Sequence, residues 1–256
     1  MKTLQLSSLL FLSLCVGLVA DRSARAQHDD HASASAQEPK PAKEFRGDPY
    51  LLDTDPVTGK KLGPIAEQRI LDHQGRELRF ASEKNEKAFL EDPAKYLPKI
   101  DAAMIAQQTP FYPLPTCPVS GEKLGESGKP VELLYKNRLV RLCCGECKDG
   151  FLKDPSKHVA KIEAAAIEAQ AKTYPAETCI VSGEPFGGDM GEPIDYILGH
   201  RMVRLCCKGC VKKLRKDPLG YLAKLEAAKK DAKDAHDHGK EGGHGKDGGH
   251  GHGDRR

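Results

Sequence analysis

The chain has no tryptophan, and its aromatic residues amount to only 5% of the total. With so few large apolar side chains and 30% charged residues, one large core is excluded and several small units are expected. Long apolar runs are missing as well. Beyond the first twenty residues, no stretch approaches the length needed to cross a membrane. Also absent are a nucleophile elbow, a phosphate-cradling glycine loop and a zinc-protease helix, so the sequence reads as non-enzymatic.

The one apolar run that does occur, LLFLSLCVGLVA, follows Lys2 and precedes the small-x-small site Ala24-Arg25-Ala26. That order reads as a secretory signal peptide over residues 1–26, cleaved after Ala26, and predicts a secreted or periplasmic protein. Taking Lys2, Arg22, Arg25 and Asp21 away with it leaves 37 basic and 36 acidic residues, a net charge of +1. Such a chain offers no basic field for nucleic acid.

Cysteine is not scarce. Of the nine, Cys15 lies within the leader and eight remain. In an exported chain the default for an even number is disulfide pairing, and any metal reading competes with that default.

The eight fall within an internal repeat. Asp55-Pro56-Val57-Thr58-Gly59 aligns with Cys117-Pro118-Val119-Ser120-Gly121 and with Cys179-Ile180-Val181-Ser182-Gly183, each 62 residues after the last. Downstream, Ala81, Cys143 and Cys206 coincide, as do Asn85, Cys147 and Cys210. Asp92-Pro93, Asp154-Pro155 and Asp217-Pro218 follow. Each copy reads as a turn, two short strands, a short helix and a longer helix. In the second copy Lys136-Asn137 forms the tight hairpin turn and Asp154-Pro155 caps and opens the longer helix. Val159, Ile162, Ala166 and Ala169 fall on one stripe of that helix. The third copy's long helix is expected from about Leu219 to Lys233.

The fold class is therefore α+β: three tandem small units, each a knuckle turn and β-hairpin followed by two helices, with disordered termini. The units are read as 47–108, 109–172 and 173–233. A polar lead spans 27–46 and a Gly/His-rich tail spans 234–256.

Cys117 lies at a tight turn, whereas Cys143 and Cys147 straddle a strand-to-helix junction. If the helix begins at Cys143, the two thiols four residues apart share a face at the positive end of the helix dipole, which favours thiolate. A turn cysteine brought over a helix-start pair is how small knuckles gather soft ligands for thiophilic ions. Cys179, Cys206 and Cys210 repeat the pattern. Strand alternation would point Cys144 and Cys207 to the apolar side. They are either small buried thiols or fourth ligands. Cys144-Gly-Glu-Cys147 and Cys207-Lys-Gly-Cys210 also have the C-x-x-C form of redox proteins, but not the βαβ setting those need.

CPVSGEKL, a hairpin ending in CC-x-x-C, and F-x-x-DP together resemble the YHS and TRASH-like group of heavy-metal-associated domains, over roughly residues 47–230. The resemblance implies a treble-clef-like unit acting in metal trafficking, storage, resistance or sensing. It makes Cys117, Cys143, Cys147, Cys179, Cys206 and Cys210 the ligand positions. This sequence departs from the family in its spacers, 25 and 26 residues long, and in its CC doublets. Copy one, with Ala81 and Asn85, is degenerate.

The sequence thus predicts capture of Zn(II) or Cu(I) in two cysteine sites, with a metal transporter or metallochaperone as partner. In the tail, His236, His238, His244, His250 and His252 are weaker metal candidates. A disulfide-stapled structural protein and, behind it, a thiol–disulfide exchange protein are the alternatives.

Overall fold

Three two-stranded antiparallel hairpins organise the described residues, each followed by a short and a longer helix. The computed structural model describes residues 45–238, apart from 127 and 188–190, with side chains described to residue 232. These residues belong to one compact unit, Pro41–Arg256. In the first repeat β1 (Arg69–His73) pairs with β2 (Arg76–Phe80), and α1 (Glu83–Glu91) and α2 (Pro93–Gln108) follow. The second has β3 (Val131–Tyr135), β4 (Arg138–Leu142), α3 (Glu146–Lys153) and α4 (Pro155–Ala171). The third has β5 (Ile194–Leu198), β6 (Arg201–Leu205), α5 (Lys208–Lys216) and α6 (Pro218–His238).

The local chemistry explains these elements. All three hairpins close through two residues of positive φ: Gln74-Gly75, Lys136-Asn137 and Gly199-His200. That backbone matches the twist of the strands it joins. Asp92 and Asp154 each accept an N–H from three residues on, at 3.3 and 3.1 Å, and so cap α2 and α4. Proline fills the first helical position of α2, α4 and α6, where its missing N–H costs nothing.

Every repeat has its own small core. Leu78, Phe80, Phe89 and Ile100 in the first repeat correspond to Val140, Leu142, Phe151 and Ile162 in the second. Val203, Leu205, Leu214 and Leu225 take those places in the third. Fully buried Phe89 and Phe151 each contribute on the order of 2–3 kcal/mol. Cys117 and Cys143 belong to the second cluster, and Cys179, Cys206 and Cys210 to the third.

The repeats are joined by polar contacts that the sequence pattern does not reveal. Gln108, the last residue of α2, spans the next hairpin: its Nε2 donates to Asn137 O at 2.8 Å and its Oε1 accepts from Leu139 N at 2.9 Å. Gln170 of α4 repeats this on the third hairpin, with His200 O at 2.8 Å and Met202 N at 3.0 Å. Phe45, read from sequence as the end of the lead, packs against Tyr135 and donates its N–H to Ser156. Beside it, the buried Asp48 carboxylate pairs with both Arg138 nitrogens Nε and Nη2 and accepts Gly199 N–H at 3.2 Å. Arg138 also reaches Ile197 O at 2.9 Å.

Three local expectations differ. Ala169 is exposed, and Gln170 takes the inward turn of α4 instead. The backbone of α6 continues to His238, past the expected end near Lys233. The short helices start later than the first cysteine of the pair, at Glu146 and Lys208.

Candidate metal centre

The first wall of each site is a knuckle built three times over. Cys117 N–H donates to Glu122 O at 2.7 Å and Gly121 N–H returns to Cys117 O at 2.9 Å. Cys179 with Glu184 and Gly183, and Asp55 with Lys60 and Gly59, close the same loop at 2.7–2.8 Å. The glycine is required, because φ is 68°, 83° and 81° at Gly59, Gly121 and Gly183. The turn leaves several N–H groups aimed at the side chain of its first residue.

The second wall comes from the end of the hairpin and the start of the short helix. Cys143 and Cys206 follow β4 and β6 directly, while Cys147 and Cys210 lie in the first turn of α3 and α5. The thiols of Cys117, Cys143 and Cys147 come within 4.8 Å of one another, and so do those of Cys179, Cys206 and Cys210. Within the groups, Cys143 and Cys147 Sγ are 3.6 Å apart and Cys206 and Cys210 Sγ are 3.7 Å apart. A tetrahedral ion with metal–sulfur bonds of about 2.3 Å separates its sulfurs by about 3.8 Å, so the donors fit.

Each triad can hold a metal ion. Among the described residues all eight cysteines are free thiols, and no disulfide is formed. Comparison with protein-family models, with curated proteins and with solved structures gives no match. The chemistry of the triads therefore carries the functional reading.

Electrostatics single out the knuckle cysteine. Burial pushes the Cys117 thiol up, but the N–H groups of Ser120, Cys143 and Val119 and the Ser120 hydroxyl outweigh it and bring it down to about 6. Cys179 is brought down to about 7 against burial by the equivalent donors of Cys206, Ser182 and Val181. Its neighbour Cys210 moves the other way, because burial and the nearby thiols of Cys206, Cys207 and Cys179 resist further charge. In each metal-free triad the knuckle cysteine is thus the thiol that ionises most readily, and an incoming ion displaces protons from the others. Ser120 Oγ lies 3.3 Å from Cys143 Sγ, and Ser182 Oγ lies 3.3 Å from Cys206 Sγ.

Cys144 and Cys207 do not sit as strand alternation predicts, because β4 and β6 stop at Leu142 and Leu205. It is Cys143 and Cys206 that are buried, with Cys144 and Cys207 half-buried. In the first repeat the equivalent Ser82 is the N-cap of α1 and accepts Asn85 N–H at 3.3 Å. Cys207 takes the same N-cap place at α5, where Cys210 N–H donates to its backbone carbonyl at 3.1 Å, whereas the N-cap of α3 is Gly145. The nearby N–H groups of Cys147 and Cys210 pull the Cys144 and Cys207 thiols down. Cys144 Sγ is 3.8 Å from Cys143 Sγ and 3.7 Å from Cys147 Sγ, but it stands outside the group of three.

The first repeat shows what the pocket is for, and Asp55 is the residue that sequence reading undervalued. Its Oδ1 accepts the N–H groups of Val57 and Thr58, both at 2.9 Å, while Oδ2 accepts Ala81 N–H at 2.8 Å and the Asn85 amide at 3.0 Å. Burial pushes the carboxyl up, yet these donors hold it below the ordinary carboxylate value. The knuckle is an anion-favouring pocket that holds a carboxylate in one copy and a cysteine of lowered pKa in the other two.

Among the described residues, His73, His158 and His200 join no group that could hold a metal ion. His200 is buried at the third hairpin turn with Nε2 donating to Leu139 O at 3.0 Å, and burial, reinforced by Arg138, lowers it to about 3. His158 Nδ1 faces Pro118 O at 3.2 Å, and His73 packs edge-on to Phe89. The tail candidates His244, His250 and His252 lie outside the described residues, as do the side chains of His236 and His238.

Proposed function

We propose that the protein captures a thiophilic ion, Zn(II) or Cu(I), in each of its two cysteine triads and holds it for trafficking, storage or resistance. The observation that carries this reading is the repeated convergence of three thiols from a knuckle and a helix start, within 4.8 Å, in both cysteine-bearing repeats. The first repeat supports it, since the same frame persists there without a single cysteine. In that copy the frame is held without thiols.

In this reading the repeats are treble-clef-like units related to the YHS and TRASH-like domains, the chain is exported, and it catalyses no reaction. Cys117, Cys143 and Cys147 supply three thiolates, as do Cys179, Cys206 and Cys210, and the fourth position stays open to a partner's ligand. Cys144 and Cys207 flank the helix starts and stay outside the triads. The histidine tail concentrates ions nearby, and a metal transporter or metallochaperone receives them.

The test is substitution of one triad at a time in the full chain. Cys143→Ser with Cys147→Ser should remove one cysteine-bound ion and leave the other. Cys206→Ser with Cys210→Ser should do the reverse. Unchanged metal content with a loss of thermal stability alone would favour disulfides, and rapid exchange with a dithiol that depends on Cys144 and Cys147 would favour a redox protein.

A further inference from the structure

The two triads sit in different surroundings. In the third repeat every thiol is shut in: Cys179, Cys206 and Cys210 are 0, 2 and 3% exposed. In the second repeat Cys117 and Cys143 are buried, but Cys147 is half-buried. Two neighbouring positions differ in the same sense. Val211 packs on the third cluster at the position where the second repeat has exposed Lys148, and Phe186 replaces the smaller Leu124.

Charge differs in the same sense. Helix α5, KGCVKKLRK, has five cations and no acid, and Lys208, Lys212, Lys213 and Lys216 are exposed. Helix α3, ECKDGFLK, has two acids and two bases, with Glu146 beside Cys147 and Asp149 where α5 has Lys212. A divalent ion on three thiolates leaves one negative charge. Cations around that anion lower its energy, whereas acids around it raise its energy and draw further cations toward the surface.

We propose that the triads divide the work: the second-repeat site exchanges its ion readily and the third-repeat site retains its own. The proposal rests on the metal-binding reading and adds a direction to it. The half-buried Cys147, at the rim beside Glu146, is where an incoming thiol or chelator first competes for the ion. In the third repeat Cys210 has no such access. Transfer to a partner then draws on one site, while the other keeps the third core intact.

The test loads the full chain with Cd(II) and follows loss of sulfur-to-cadmium charge-transfer absorbance on adding excess EDTA. Ions on the tail histidines contribute nothing to that signal. Two phases of equal amplitude should appear, separated by about tenfold, the scale that a few screened charges and one exposed ligand produce. Glu146→Lys with Asp149→Lys should slow only the fast phase. Lys208→Glu with Lys212→Glu should speed only the slow one. These variants touch no ligand, so both should still load two ions. Two bound ions leaving in one phase, or charge variants acting on the opposite phase, would overturn the division of labour while leaving metal binding in place. No thiolate–cadmium absorbance at all would overturn both.

Discussion

Asn85 donates its side-chain amide to Asp55 at 3.0 Å, at the place where Cys147 and Cys210 face Cys117 and Cys179 in the later repeats. One hydrogen bond thus occupies the position where each later repeat sets two thiols face to face. The first repeat joins its knuckle to its helix start by itself, whereas the other two leave that junction to their thiols.

Restoring the thiols should restore a site. Asp55→Cys, Ala81→Cys and Asn85→Cys together should raise the cysteine-bound metal content from two ions per chain to three, measured by elemental mass spectrometry. A value that stays at two would show that the knuckle frame alone does not make a site.

The Asp55 carboxylate also predicts a pH dependence. Its value in the folded protein lies below 3.8, so the stability it confers is full above the unfolded carboxylate value and disappears as pH falls through the folded one. Asp55→Asn, which presents an amide to N–H donors, should cost about 1–3 kcal/mol at neutral pH. Urea unfolding of the metal-free variant and parent should converge at acid pH.

Ser82, Cys144 and Cys207 separate support from ligation. Ser82→Ala should cost about 1 kcal/mol through loss of the α1 cap. Cys144→Ser and Cys207→Ser change thiols outside the triads and should leave two ions bound. Loss of an ion in either variant would make that cysteine a ligand.

Arg138 and Asp48 hold the repeats together as a buried pair, each about 1% exposed. Asp48→Ala would strand the guanidinium without water and should destabilise the metal-free protein by about 3 kcal/mol or more. Chemical denaturation reads this directly. A change under 1 kcal/mol would mean that Glu163, 3.2 Å from Arg138, takes over the charge.

Much of the repeat was legible in the sequence because it is written in short-range signals. Lys136-Asn137 marked the hairpin turn, Asp154-Pro155 the helix start, and the two Cys/Cys/Cys sets the knuckle and junction. The helix start was misplaced at Cys143, although Ser82 in the first copy marks the N-cap one residue later in the frame. What could not be read were the clasps between repeats. Asp48 meets Arg138 across 90 residues, and Gln108 caps a hairpin 29 to 31 residues on. Single polar contacts at such separations leave no periodicity.

The most direct test of two thiolate-bound ions is a mercurial titration of the full chain as purified, reading released metal and reacted thiols together. The account predicts two ions released as the cysteines react, with ions on the tail histidines left in place. No released metal, and cysteines that stay unreactive after denaturation until a reductant is added, would contradict it and make the repeated cysteines disulfide staples.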